Sequence, residues 1–67
     1  MTGEELRRRR TALKLTQAGL AERLDITRQA VYAWERGINP VPGWMEFVLR
    51  WFEHELGVEP KELLRDE

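Results

Sequence analysis

Apolar residues recur at three- and four-residue spacing along most of the chain, the period of helices that bury one face. Leu20, Ala21 and Leu24 share a face in a segment opened by Thr16, and Ala30, Val31 and Trp34 share a face in a second opened by Thr27. Both threonines can accept backbone N–H bonds as N-caps. Only Leu24 to Thr27 separates the two segments, and so short a link predicts helices that cross steeply. Gly37 supplies the left-handed stop for the second. Upstream, Thr2 and Glu5 have capping-box spacing, which predicts a helix from about Gly3. Leu6 and Leu13 lie on one face of it, with Arg10 between them. A charge there needs a partner, because burying it unpaired is costly. Lys14 closes this helix with a charge suited to its C-terminal end.

After Gly37 the loop Ile38-Asn39-Pro40-Val41-Pro42-Gly43 holds two prolines, and Pro42 suits the first turn of the next helix. That helix is expected to reach about Leu56, with Met45, Val48, Leu49, Phe52 and Leu56 as its core stripe. Trp44, Phe47 and Trp51 form a second stripe beside it. Together they make the helix apolar over more than half its circumference, too wide for one small core. Gly57 ends it, and Val58 to Arg65 reads as a last short helix opened by Pro60. Repeats and β-type alternation are absent from the sequence.

This pattern needs only one domain, residues 1–67, and that length limits the core it can bury. Hydrophobic content of 42% suits a globular chain. No apolar run approaches a membrane span and no secretory segment follows the start, so the expected setting is cytoplasmic. Cysteine is absent, which removes disulfides and thiolate metal sites. The net charge of −1 does not suggest a nucleic-acid partner, but its distribution does. Residues 1–36 hold eight Lys or Arg against five Asp or Glu, and residues 37–67 hold three against seven. A basic half beside an acidic half fits a molecule with one phosphate-facing side. A solvated helix face is the plainer account of Arg7 to Arg10.

The two central helices make a helix-turn-helix, and the outer surface of its second helix is Arg28, Gln29, Tyr32, Ala33 and Arg36. Arg and Gln carry paired groups that match base edges in the major groove, and a recognition helix touches bases with its first turn. An ordinary helical hairpin with a polar face would look the same from these residues alone. Catalysis has little to draw on: there is no Cys or Ser, and the one histidine is His54. Its neighbours Glu53 and Glu55 point in other directions on a helix, so neither a metal site nor a cofactor is expected.

With these residues placed, the chain resembles the DNA-binding domain of the lambda/434 repressor and Cro family, the XRE-type helix-turn-helix. The matching pattern runs Leu6, Arg10, Leu13-Lys14-Leu15-Thr16-Gln17, Leu20-Ala21, Leu24, Thr27-Arg28-Gln29, Val31 and Trp34-Glu35-Arg36-Gly37, over roughly residues 3–56. The resemblance implies an all-α, five-helix lambda-repressor-like domain that binds double-stranded operator DNA as a homodimer and acts as a repressor or autorepressor. It implies base contacts from Arg28, Gln29, Tyr32 and Ala33, and phosphate contacts from Gln17, Thr16, Thr27, Arg36, Asn39 and Arg10. Arg10 and Glu35 match a paired Arg–Glu common in the family. Gly19 stands where a capping Glu is usual, Asp25 where Gly is usual, and the long aromatic fourth helix is a further departure. Small phage and mobile-element repressors, including anti-CRISPR-associated regulators, are similar in size, which fits such a source.

The aromatic stripe points to a protein partner. An uncovered patch of large rings is unusual on a soluble monomer and marks an interaction site. The homodimer expected here uses Trp44, Phe47 and Trp51, extended by Val58, Pro60 and Leu64. Two competing readings are an antitoxin whose aromatic face docks a toxin, and a helix-turn-helix turned protein-interaction module without DNA.

Overall fold

A computed structural model describes residues 1–57 of the chain. Among these residues there are four helices and no strand: α1 (Gly3–Ala12), α2 (Gln17–Leu24), α3 (Arg28–Glu35) and α4 (Met45–Leu56). The protein is all-helical over this span. The expected fifth helix, with Val58, Pro60 and Leu64, lies outside the described residues.

The first three helices begin where a threonine can cap them. The Thr2, Thr16 and Thr27 hydroxyls accept from the N–H groups of Glu5, Gly19 and Ala30, at 3.0, 2.9 and 3.2 Å. Each cap satisfies one of the amides that a helix start leaves without an internal partner. The helix ends are equally local in origin. Lys14 and Asp25 take left-handed backbone angles, φ +64° and +58°, just past α1 and at the end of α2. Asp tolerates that conformation better than most residues, whereas Lys accepts a steric cost to turn the chain. Gly37 and Gly57, at φ +76° and +73°, make the corresponding turns after α3 and α4 without that cost.

The start of α4 differs from expectation. Pro42 is not in its first turn: the Met45 N–H donates to the Pro42 carbonyl at 3.1 Å, so Pro42 belongs to the turn that precedes the helix. Trp44 occupies the N-cap position and makes no side-chain cap bond.

Leu6 of α1 and Leu13 just past it meet Leu20, Ala21, Val31, Met45, Leu49 and Phe52 in one buried core. Leu15, Leu24, Ile26, Trp34, Val41 and Val48 pack around it. Leu56, expected in the core stripe, is 49% exposed. Burial along α4 stops at Glu53, so the last turn has nothing over it among the described residues. The second stripe faces outward: Trp44, Phe47 and Trp51 are 47, 68 and 60% exposed. Of these, Trp44 meets the ring of Trp34 edge-on, with centroids 5.9 Å apart. No helix among the described residues is long and apolar enough to cross a membrane.

Candidate nucleic-acid interface

The inner face of α3 determines its outer one. Val31 is fully buried and Ala30 and Trp34 are partly so, which turns Arg28, Gln29 and Tyr32 to the surface. Arg28 and Gln29 stand in the first turn, directly after the Thr27 cap. Ala33 is half-buried, and its carbonyl accepts from the Ile38 and Asn39 N–H groups at 2.9 and 3.3 Å, which closes the turn after α3. Arg36 lies over the Tyr32 ring, 5.7 Å from its centroid, a cation–π contact. Asn39 is exposed in the loop beyond.

Beneath this surface an ion pair joins α1 to the end of α3. Arg10 Nε donates to Glu35 Oε2 at 2.7 Å and Nη2 to Oε1 at 3.1 Å, a two-pronged contact. Its Nη1 donates to the Leu15 carbonyl at 2.7 Å. Arg10 therefore has its partner on the inner face. The residue, also expected among the phosphate contacts, is 7% exposed, and each of its three guanidinium nitrogens donates within the protein.

Gln17 carries the connection outward. Its Nε2 donates to Glu35 Oε1 at 3.0 Å, which orients the amide, and its Oε1 accepts a long bond of 3.4 Å from Arg28 Nη1. A chain of polar contacts thus runs from Arg10 in α1 to Arg28 at the start of the recognition helix. Thr16 and Thr27 use their oxygens as cap acceptors, and each hydroxyl keeps its proton to donate.

The sequence reading missed a second buried cluster. Arg9, also 7% exposed, donates from Nε and Nη2 to Glu53 at 2.8 and 3.0 Å and from Nη1 to Glu46 at 2.8 Å. The hydrogen bonding it donates to Glu53 is the main reason its guanidinium is held above its ordinary pKa. Glu53 itself is buried against Arg9 and so turned away from the neighbouring His54. The missed signal was available: Glu46 and Glu53 sit seven apart, on one face of α4. Among the described residues no cluster of three or more His, Cys, Asp or Glu is arranged to hold a metal ion.

Two capped helices at a tight turn, with a polar first turn on the second, define a helix-turn-helix domain. The family model described as helix-turn-helix matches residues 6–42, more than half of the chain. The protein belongs to the XRE-type, Cro/C1-like helix-turn-helix family and is a DNA-binding regulator. Neither a curated protein nor a solved structure matches it.

Proposed function

We propose that the protein is a sequence-specific transcriptional repressor or autorepressor that binds a palindromic operator as a homodimer. The observation that carries this reading is the first turn of α3, where Arg28 and Gln29 are both exposed beside Tyr32. Arg28 pairs with guanine through O6 and N7, and Gln29 with adenine. Tyr32 and Ala33 line the same face further along. Gln17, Thr16, Thr27, Arg36 and Asn39 hold the sugar–phosphate backbone and set the register. Phage or mobile-element origin is part of the same reading.

Selection of bound sites from random duplex DNA tests it, read for sequence and for half-site spacing. Arg28→Ala and Gln29→Ala should each cost about 1–3 kcal/mol and relax preference at one base position. Equal weakening on every sequence by Arg28→Ala would make Arg28 a phosphate contact instead.

The outward aromatic stripe of α4 supports the dimer. Aromatics are enriched where interfaces carry most of their energy, and three exposed rings on one helix leave a large apolar area in water. A two-fold pair sets recognition helices about 34 Å apart, one turn of DNA. Trp51→Glu should give a folded monomer with much weaker operator binding. Sedimentation of the wild type as a monomer at tens of micromolar would remove the dimer from the proposal. A stable complex with the product of an adjacent toxin gene would replace it by the antitoxin reading.

A further inference from the structure

The run Arg7 to Arg10 looks uniform in sequence, and the structure divides it. Arg9 and Arg10 are buried in carboxylate contacts. Arg7 is exposed, and among the described residues its guanidinium has no hydrogen-bond or ion-pair partner. It borders a hollow of about 280 Å³ between α1, the start of α2 and the end of α3, whose other walls are Arg10, Gln17, Tyr32, Glu35 and Arg36.

The charge balance of this hollow favours an anion. Its one carboxylate, Glu35, accepts two bonds from Arg10 and a third from Gln17, so that pair contributes little net charge. Two guanidiniums remain, Arg7 from α1 and Arg36 from the C-cap of α3. Arg36 rests on the Tyr32 ring, a contact that limits its rotation, and among the described residues its N–H groups enter no carboxylate pair. Two guanidinium forks lining one hollow whose carboxylate is already paired match the oxygens of a phosphate, which arginine binds through paired bonds. The hollow also adjoins Gln17 and Tyr32, on the flank of α3.

We propose that one backbone phosphate of the operator seats in this notch between Arg7 and Arg36, which makes Arg7 a DNA contact on α1. The assignment rests on the DNA-binding reading above. A phosphate contact weakens binding uniformly across sequences and adds about one to the slope of log affinity against log salt.

The test measures operator and scrambled duplex binding across a salt series for wild type, Arg7→Ala, Arg7→Lys and Arg36→Ala, with melting curves to confirm folding. Arg7→Ala should weaken both duplexes by the same factor and lower the slope by about one, while Arg7→Lys keeps most of the slope. A scan of neutral methylphosphonates through one half-site should then find one position that weakens wild type more than it weakens Arg7→Ala, the remaining loss belonging to Arg36. An unchanged slope in Arg7→Ala, or the absence of any position coupled to Arg7, overturns the notch and leaves the regulator reading standing. A folded wild type that binds neither duplex nor any selected site overturns both.

Discussion

Arg9 and Arg10 are adjacent on α1, equally buried, and hold opposite sides of the molecule. The Arg10 seam ties α1 to α3 through one carboxylate, Glu35, whose side chain is 3% exposed. It continues through Gln17 to Arg28 in the first turn of α3. The Arg9 seam ties α1 to α4 through two carboxylates: Glu53, 9% exposed, and Glu46, 35% exposed and shared with Arg50. One seam is therefore one-to-one and closed, the other two-to-one and open at its rim. The difference teaches that a buried ion pair is best read by what it orients. The first supports the exposed first turn of α3, the second the helix that carries the outward aromatic rings.

Breaking either seam should be the largest single effect available. Removing one partner of a buried ion pair leaves the other charge uncompensated, typically at about 3–5 kcal/mol. Arg9→Ala and Arg10→Ala should both fall in that range by thermal or urea melts, and Arg10→Ala/Glu35→Ala should lose less than the sum of its singles. Additive losses would show that the pair does not interact. The milder Arg9→Lys and Arg10→Lys keep charge but not the two-pronged geometry. Per folded molecule, only Arg10→Lys should weaken operator binding, because Gln17 leans on the same carboxylate. Equal weakening by both would erase the contrast between the seams.

A smaller effect sharpens the α1–α3 side alone. Gly3 opens α1 against the end of α3, where an added Cβ would overlap the carbonyl oxygens of Trp34 and Glu35. These are backbone atoms, so the clash is relieved only by moving a helix. Gly3→Ala should cost about 1–3 kcal/mol, the range for overpacking, although alanine is the better helix former. The Trp51→Glu variant should melt close to wild type, since that ring is outside the core. A Gly3→Ala protein as stable as wild type would mean that α1 and α3 approach less closely than described.

What could be read from the sequence was what local chemistry decides. Three threonine caps, the left-handed turn at Asp25 and the stops at Gly37 and Gly57 depend on neighbours within a few residues. Exposure of Arg28, Gln29 and Tyr32 follows from the apolar period of α3. Arg9 shows where this runs out. It stands three from Leu6 and four from Leu13, as Arg10 stands four and three, so spacing gave both the same claim to the inner face. Periodicity names a face and leaves open which carboxylate, some forty residues on, will meet it. Gly3 was opaque for the same reason: a close approach between distant segments leaves no trace in either alone. Leu56 failed differently, since a correct period says nothing about where the core ends. The role of Gln17 as a bridge between Glu35 and Arg28 likewise needed three helices in place.

The smallest expected effect probes the open rim of the Arg9 seam. The Glu46 carboxyl is held below its ordinary 4.5, chiefly by the hydrogen bond from Arg9 and then by the charges of Arg9 and Arg50, against some desolvation. A carboxylate whose folded pKa is lowered binds fewer protons folded than unfolded, so its contribution to stability is present above the unfolded value. That contribution is lost as pH falls through the lower, folded value. At neutral pH, Glu46→Gln should therefore melt slightly below wild type, by little because about a third of the side chain is in water and salt screens it. As pH falls through that folded value the gap should close, since the remaining carboxyls titrate in both proteins and cancel in the difference. High salt at pH 7 should narrow the same gap without acid. A gap that persists unchanged at low pH would mean that Glu46 holds α4 through packing of its methylenes, and that Glu53 alone completes the seam with Arg9.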